Sequence, residues 1–283
     1  MTDRPVETAA IAGPHGEVPV RIYRPAGQEP AAGPTPGLVW MHGGAFVMGD
    51  LDAPDAHDVA LGLVARTPVV VVTVRYRLAL GGVHFPVPHD DVVAAYRWVL
   101  DHAADLGIDP ARLAIGGASA GASLACGTAL RQRDEGRPVP WQLLLAYPVM
   151  HADVPAPSPE LSALLDRHSW VLRLTPQMLR EVHENYVGGP LRDLSPYAFP
   201  ALADLRGLPP TLIEVSELDD LRPCGEVFAG QLATAGVDVE LVVRAGMPHA
   251  HLGLVGHPQQ QGALDTLAAR LARPGTPEPA TGS

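Results

Sequence analysis

The sequence contains no lysine, and all twenty of its basic residues are arginine. This absence excludes Schiff-base chemistry on the protein and a phosphate-binding P-loop, because both require the lysine amine. Acidic residues number 31 against 20 basic ones, which gives a formal net charge of −11. The excess of negative charge argues against nucleic acid and against an anionic membrane surface as partners.

Cysteine and long apolar runs are also scarce. The two cysteines, Cys126 and Cys224, cannot form a disulfide framework, and both fall in predicted helices, where a buried thiol is expected. No apolar run approaches the length of a membrane span, and residues 1–7 lack the apolar segment of a signal peptide. The composition therefore indicates a soluble, cytoplasmic protein.

Strand and helix patterns alternate along the chain. Strands are predicted near 19–24, 37–41, 69–75, 112–116, 141–147, 210–216 and 237–243. Helices are predicted near 54–66, 89–104, 120–134, 221–235 and 260–272. This alternation predicts an α/β fold with a mostly parallel central sheet that is flanked by helices on both faces.

The most informative motif is Gly-Ala-Ser-Ala-Gly at 117–121. It follows the apolar run 113–115 and leads directly into a helical pattern, which is the context of a nucleophile elbow. Such a turn is strained, and bulky side chains two residues either side of Ser119 would collide with the adjacent strand and helix. The turn also places the serine hydroxyl at a helix N-terminus, where N–H groups favour developing negative charge.

Three further features complete a candidate hydrolase site. The segment His42-Gly43-Gly44-Ala45 ends a predicted strand, and consecutive glycines let backbone N–H groups approach an oxyanion closely. Downstream, Asp219 follows one predicted strand and His249 follows the next. The order Ser119, Asp219, His249 is the chain order of the triad in α/β-hydrolases.

From about Val18 to about Gly253 the chain resembles the hormone-sensitive-lipase-like esterases of the α/β-hydrolase superfamily. Beyond the motifs above, the resemblance includes the segments 20–25, 76–79, 109–112, 146–149 and 195–198. It implies an α/β-hydrolase fold and a carboxylesterase-type serine hydrolase, without a cofactor, that cleaves short-to-medium acyl esters through an acyl-enzyme. It also makes a homodimer formed through an edge strand an expectation.

Matches to the family's motifs give the triad its roles. The segment 219–222, Asp-Asp-Leu-Arg, is similar to the family's D-P-L-R segment, which makes Asp219 the acid. The segment 246–249, Gly-Met-Pro-His, matches its G-x-x-H segment, which makes His249 the base that activates the nucleophile Ser119.

The resemblance also implies an oxyanion hole made of backbone N–H groups. These belong to Gly44, Ala45 and Ala120, while His42 and Gly43 support the loop. Backbone donors do not depend on the side chain, so alanine at the end of the loop is tolerable.

Each assignment has a competitor. Asp220 would suit the N-cap or first turn of the following helix, and His251 competes with His249 as the base. A His-x-His segment beside a double Asp would also suit a metal site. The triad already uses one histidine and one aspartate of this set, so no metal is expected.

The pattern changes between 151 and 204, where proline-rich loops surround two amphipathic stretches at 159–167 and 175–187. We expect this segment to be a cap inserted into the catalytic core. Since the oxyanion loop already begins at residue 42, the family's N-terminal lid helices have no room. A reduced helical cap and a more open site are therefore expected.

The catalytic core is accordingly expected to comprise residues 1–150 and 205–273. The remaining segment, 274–283, is rich in proline, glycine and threonine, and is expected to be a disordered tail.

Apolar residues of the cap either line an acyl pocket or form the cap's own small core. The residues in question are Trp170, Leu172, Leu174, Met178 and Tyr186. The candidates for a substrate pocket are Phe46, Trp170, Leu174 and Met178.

Two other functions remain open. The same triad would serve lactone or amide cleavage, or acyl transfer in secondary metabolism, depending on the shape of the pocket. A non-catalytic small-molecule receptor on the hydrolase scaffold is the alternative of another class. Such receptors typically lose a triad member, usually the histidine, and here all three are present.

Overall fold

The computed structural model describes residues 6–25 and 33–274, so nearly all of the expected tail at 274–283 lies outside the described residues. Its strands are β1 Val6–Gly13, β2 Gly16–Tyr23, β3 Thr35–Met41, β4 Val70–Val74, β5 Ile108–Ala118, β6 Leu143–Ala146, β7 Thr211–Leu218 and β8 Val239–Pro248. Its helices are α1 Pro54–Val64, α2 Val87–Asp101, α3 Ala103–Leu106, α4 Ala120–Asp134, α5 Pro159–Asp166, α6 Pro176–Val187, α7 Arg222–Thr234 and α8 Pro258–Leu271.

The strands form one sheet of eight in the order β1-β2-β4-β3-β5-β6-β7-β8. Pairing is antiparallel between β1 and β2 and between β2 and β4, and it is parallel from β4 to β8. The predicted α/β class with a mostly parallel sheet is confirmed.

Both faces of the sheet are buried, which explains why the central strands are apolar without alternation. In β3, Leu38 and Trp40 face the cluster that contains residues of α1 and α8. Their neighbours Val39 and Met41 face the cluster that contains residues of α2, α4 and α7. The helices therefore cover the sheet on both sides, as predicted.

The structure adds a strand, β1, that the sequence patterns did not predict. It pairs with β2 across a hairpin turn in which Gly16 has φ 108°, a conformation that favours glycine. Ile11 is the one fully buried side chain of β1. An edge strand with so little apolar alternation gives no clear period-two signal.

The four main candidate site residues lie at the carboxyl ends of the parallel strands. Ser119 directly follows β5, His42 follows β3, Asp219 follows β7, and the loop with His249 follows β8. Because these strands are parallel and near one another, the four side chains reach the same edge.

The segment between β6 and β7 carries α5 and α6. Their N-termini are capped by Ser158 and Thr175, whose hydroxyls accept hydrogen bonds from backbone N–H groups. A small cluster of Leu161, Leu165 and Val171 packs against Leu218 of β7. This cluster attaches the inserted segment to the strand that leads to Asp219.

Both cysteines are free, buried thiols, Cys126 in α4 and Cys224 in α7. Burial raises the pKa of the Cys224 thiol to about 12, which leaves it protonated at neutral pH. None of the described helices combines the length and apolarity needed to cross a lipid bilayer.

His89 in the first turn of α2 generates a prediction about acid stability. Its ring is fully buried beside Phe85 and Tyr197, and burial lowers its pKa from 6.5 to about 4. The unfolded chain takes up this proton below about pH 6.5, whereas the folded chain takes it up only near pH 4. The free energy of unfolding therefore falls as the pH drops from about 6.5 to about 4.

We expect His89→Phe to remove most of this acid sensitivity, which amounts to about 3 kcal/mol in the free energy of unfolding. Urea unfolding of both proteins from pH 7 to pH 4 measures it. Parallel pH dependences of the two free energies would show that His89 does not titrate as described.

Candidate active site

Ser119 occupies a strained turn between β5 and α4. Its backbone has φ 52° and ψ −116°, which residues with a side chain rarely adopt. The Ser119 N–H donates to the carbonyl of Ala146, at 2.9 Å, and the residue is 7% exposed. The strand-to-helix elbow that the motif predicts is therefore present.

The glycines on either side of Ser119 permit a close approach of three backbone segments. A Cβ on Gly117 would lie 2.5 Å from the carbonyl carbon of Gly121. A Cβ on Gly121 would lie 2.4 Å from the carbonyl oxygen of His42. Alanine at either position would push α4 away from the end of β3, so glycine is needed for packing as well as for the turn.

The structure brings Ser119, His249 and Asp219 into one hydrogen-bonded line. His249 Nε2 lies 3.0 Å from Ser119 Oγ, and His249 Nδ1 lies 2.7 Å from Asp219 Oδ2. The other oxygen of Asp219 accepts from the Leu221 N–H at 2.9 Å, which fixes the carboxylate. An Nδ1–H that donates to Asp219 leaves the Nε2 lone pair free to accept the serine proton.

The charge of Asp219 controls the titration of His249. Burial alone would lower the pKa of His249, but the attraction of the Asp219 carboxylate and its hydrogen bond outweigh burial, with Asp55 and Asp220 adding to them. The pKa of His249 is therefore raised above its ordinary value. The site stabilises the imidazolium that forms when His249 takes a proton.

The two competing residues contact other partners. His251 is fully buried, with Nδ1 2.8 Å from Ser216 Oγ and Nε2 3.4 Å from a carboxylate oxygen of Glu214. Asp220 accepts hydrogen bonds from the Arg173 guanidinium and, at 2.8 Å, from a backbone N–H of the inserted segment. Neither side chain is hydrogen-bonded to Ser119.

These contacts also bear on the other roles considered for the same residues. The helix α7 begins after Leu221, so Asp220 is not its N-cap. Across the described ranges, no three His, Cys, Asp or Glu side chains converge in the manner of metal ligands.

The loop after β3 turns sharply beside Ser119. Gly44 has φ 115°, and its carbonyl accepts from the N–H of Met48 at 2.9 Å. A Cβ on Gly43 would lie 3.4 Å from the Cβ of Ser119, so the loop runs directly past the serine. The N–H groups of Gly44 and Ala45 donate to no acceptor among residues 6–25 and 33–274.

Ala120 is the first residue of α4, and the N–H of a first helical residue has no intrahelical acceptor. It follows Ser119 immediately, so its N–H is a third donor available beside the serine. The loop after β3 and the start of α4, which carry the three predicted oxyanion donors, thus both lie beside Ser119.

His42 and Gly43 are held by two residues that sequence reasoning missed. Tyr76 stacks on the His42 ring at 4.3 Å, and its hydroxyl donates to the His42 carbonyl at 3.0 Å. Asp55 accepts from the N–H of Gly43 at 2.8 Å. Tyr76 lies in a segment that carried the resemblance, whereas Asp55 has no local signal beyond the Pro54-Asp55 helix start.

The His42 imidazole that supports the loop is neutral. Burial lowers the pKa of His42, and its Nδ1–H donates to the Gly43 carbonyl at 2.6 Å. His42 is therefore an uncharged brace for the loop at neutral pH.

The structure does not gather the four substrate-pocket candidates around one cavity. Phe46 is 1% exposed and stacked on Tyr186, whereas Trp170 and Met178 are 64% and 44% exposed. Leu174 alone of the four lines a cavity of about 730 Å³ between loop 152–157 and the start of α6.

Neither an acyl pocket nor a core of the cap alone accounts for all five apolar cap residues. Trp170, Leu172 and Met178 are too exposed for the cap's own core, and Tyr186 is buried in the main core. The cap's small core is formed instead by Leu161 and its neighbours, for which no site role had been considered. Periodicity cannot tell which apolar face of a short helix meets the body of the protein.

Comparisons with known proteins bear on the family and the fold of the chain. The sequence model of a family described as alpha/beta hydrolase fold matches residues 38–253. The carboxylic ester hydrolase LipN of Mycobacterium tuberculosis is 36% identical over 263 residues, which cover 88% of this chain and 65% of LipN. The ethyl acetate hydrolase of Pseudomonas putida is 35% identical over 237 residues, covering 82% of this chain and 70% of that protein.

A solved structure is similar over almost the whole chain. An esterase of Pyrobaculum calidifontis superposes with a TM-score of 0.83 at 33% sequence identity, covering 95% of this chain and 86% of its own. The similarity therefore extends through the core and the inserted segment between β6 and β7.

The raised pKa of His249 predicts the acid limb of any pH–rate profile. If neutral His249 is the base, kcat/KM falls as pH drops through a pKa above the ordinary 6.5 of imidazole. Asp219→Asn removes the main raising cause, so the limb moves to lower pH while kcat drops by about 10⁴.

Asp220→Asn is the matched control, since that carboxylate is paired with Arg173 and contributes least to the shift. It should move the acid limb less than Asp219→Asn does. An acid limb that Asp219→Asn leaves in place would contradict the assignment of the pair.

Proposed function

Because the chain belongs to the α/β-hydrolase fold family, and within it to the hormone-sensitive-lipase-like esterases, we propose that it hydrolyses carboxylic esters through an acyl-enzyme. The observation that carries this proposal is the hydrogen-bonded line from Ser119 through His249 to Asp219, with distances of 3.0 and 2.7 Å.

In the proposed acylation, His249 Nε2 accepts the Ser119 proton while Oγ attacks the ester carbonyl carbon. Asp219 keeps the imidazole in the Nδ1–H tautomer and stabilises its charged form. The tetrahedral intermediate collapses as His249 donates the proton to the alcohol oxygen, which leaves. In deacylation, His249 takes a proton from water as the water oxygen attacks the acyl carbon. The second tetrahedral intermediate collapses as His249 returns that proton to Ser119 Oγ, the bond between Oγ and the acyl carbon breaks, and the carboxylic acid leaves.

The negative oxygen of each tetrahedral intermediate is proposed to lie against the N–H groups of Gly44, Ala45 and Ala120. The free donors of the loop and the N-terminus of α4 support this role. Loss of one donor of this kind typically costs about 3 kcal/mol of transition-state stabilisation.

Short-to-medium acyl esters are the proposed substrates, as the name of the Pseudomonas putida ethyl acetate hydrolase supports. Residues 151–204 are proposed to be a cap on a core of 1–150 and 205–273. The succession of α5 and α6 between β6 and β7, with no strand in this described part of the chain, supports this division, and the ion pair between Arg173 and Asp220 joins the cap to the core. With Trp170 64% exposed, the cap is proposed to leave an open site.

A cytoplasmic location is proposed as well, since both cysteines are free, buried thiols. A homodimer through β8 is the proposed assembly. This strand forms one edge of the sheet, and its Leu241 and Val243 are each 39% exposed.

For the dimer, light scattering after size exclusion should give twice the chain mass of 29.8 kDa. Val243→Glu should lower it to the single-chain mass, because a charge would be buried at the edge. A wild-type mass of one chain would contradict the proposed assembly.

For the chemistry, hydrolysis of p-nitrophenyl esters from acetate to laurate should be rapid for the shorter chains. Ser119→Ala and His249→Ala should each lower kcat by at least about 10³-fold in a folded protein. His251→Gln is the control, because His251 contacts Ser216 and Glu214 rather than the nucleophile.

Persistent turnover in Ser119→Ala would sink the proposed nucleophile. Turnover that survives in His249→Ala but is lost in a folded His251→Gln would reverse the assignment of the base. A folded wild-type protein with no activity on any ester would favour acyl transfer or a non-catalytic small-molecule receptor instead.

A further inference from the structure

Tyr186, at the end of α6, is stacked face to face on Phe46 of the loop after β3. The ring centroids are 3.7 Å apart with 7° between the ring planes, and the residues are 0% and 1% exposed. Phe85 and Phe199 meet the Tyr186 ring edge-on at 5.9 and 6.3 Å. The stack is thus enclosed on several sides and has a single geometry.

The backbone on the Phe46 side of this stack is strained. Ala45 and Phe46 have φ of 54° and 63°, in the left-handed region that residues with a Cβ disfavour. Such a conformation persists only where surrounding contacts hold it. These residues directly follow Gly44, so the turn that carries the N–H groups of Gly44 and Ala45 ends in this strained backbone.

Hydrogen bonds join the same two segments a second time. The Ala79 N–H donates to the Phe46 carbonyl at 2.7 Å, and the Asn185 side-chain amide donates to the Ala79 carbonyl at 2.8 Å. The Phe85 N–H donates to the Tyr186 carbonyl at 2.7 Å. The last turn of α6 is therefore fixed to the loop both through its rings and through residues 79–85.

The Tyr186 hydroxyl plays no part in these contacts. Its oxygen is buried and has no hydrogen-bond partner in the part of the chain that the structure describes. A phenylalanine would keep the ring and remove only this unpaired group. The ring and the hydroxyl can therefore be separated by substitution.

We infer that Tyr186 is a positioning residue for ester hydrolysis, whose ring holds the loop 44–46 so that its N–H groups face the oxyanion. This inference rests on the proposed function. It gives the inserted segment a second role, because α6 then helps to set the geometry of the oxyanion hole besides forming part of the proposed cap.

Removal of the Tyr186 ring should weaken the stabilisation of the transition state, while the affinity for the ester changes little. Misplacing a catalytic group by about 1 Å can cost on the order of 10²-fold in rate. We expect Tyr186→Leu to lower kcat on p-nitrophenyl acetate by about 10- to 100-fold with little change in KM. Tyr186→Phe should keep the wild-type kcat.

A second readout isolates the oxyanion hole. An alkyl trifluoromethyl ketone adds to a catalytic serine as a tetrahedral adduct, so its affinity follows transition-state binding. Its Ki should rise in Tyr186→Leu by the factor by which kcat/KM falls. Phe46→Leu should have the same effect, and the double variant should lose little more, because the two rings form one contact.

The matched control for lost packing is Leu267→Ala in α8, on the opposite face of the sheet. Leu267 is 1% exposed, so it also loses core contacts, and it should keep the wild-type kcat and Ki at temperatures where all variants are folded. If Tyr186→Leu does not fold, Tyr186→Met replaces it, since its unbranched, flexible side chain adapts to the vacated space without a ring.

Wild-type kcat and Ki in Tyr186→Leu would overturn the inference, as would an equal loss in Tyr186→Phe or in Leu267→Ala. In each of these cases, the proposed function would still hold if the wild type hydrolyses the ester and Ser119→Ala does not. A wild type without ester turnover, or an active Ser119→Ala, would overturn the proposed function and this inference together.

Discussion

The whole site depends on the contact between two neighbouring backbone turns, one after β3 and one after β5. At Gly121 a Cβ would meet the carbonyls of both Met41 and His42 within 2.5 Å, so no other residue allows the same approach. This approach places the loop that begins at His42 against Ser119. The proposed nucleophile and the backbone N–H groups proposed to bind the oxyanion thus follow two adjacent strands, β5 and β3.

Strained backbone lies on both sides of this contact, and packing around the contact holds it. Ser119 adopts a disfavoured backbone conformation, and Ala45 and Phe46 adopt left-handed ones. Asp55, Tyr76 and Tyr186 each hold part of the loop, through a hydrogen bond to Gly43, a stack on His42 and a stack on Phe46. Donors that are held rigidly can stabilise charge without reorganising during a reaction, as the proposed oxyanion hole requires.

The sequence predicted the parts of the site that are local. Ser119, Asp219 and His249 each follow a strand, and each lies in a short motif whose residues are neighbours in the chain. The fold class followed from the alternation of strands and helices. These local patterns suffice to predict the site because the carboxyl ends of parallel strands meet at one edge of the sheet.

The parts that were missed depend on contacts between distant segments. The partnership of Phe46 with Tyr186 spans the cap and the loop, and no pattern in either segment indicates it. The prediction that Trp170 and Met178 line a pocket rests on apolar character alone, and these residues are 64% and 44% exposed. Strand β1 was missed because an edge strand buries too little to show a period.

The most direct test of the account is a crystal structure of the protein inactivated by a p-nitrophenyl alkylphosphonate. The account predicts phosphorus bonded to Ser119 Oγ and a phosphonyl oxygen about 2.7–3.1 Å from the backbone nitrogens of Gly44, Ala45 and Ala120. A phosphonyl oxygen turned away from those nitrogens, or an adduct on another residue, would contradict it.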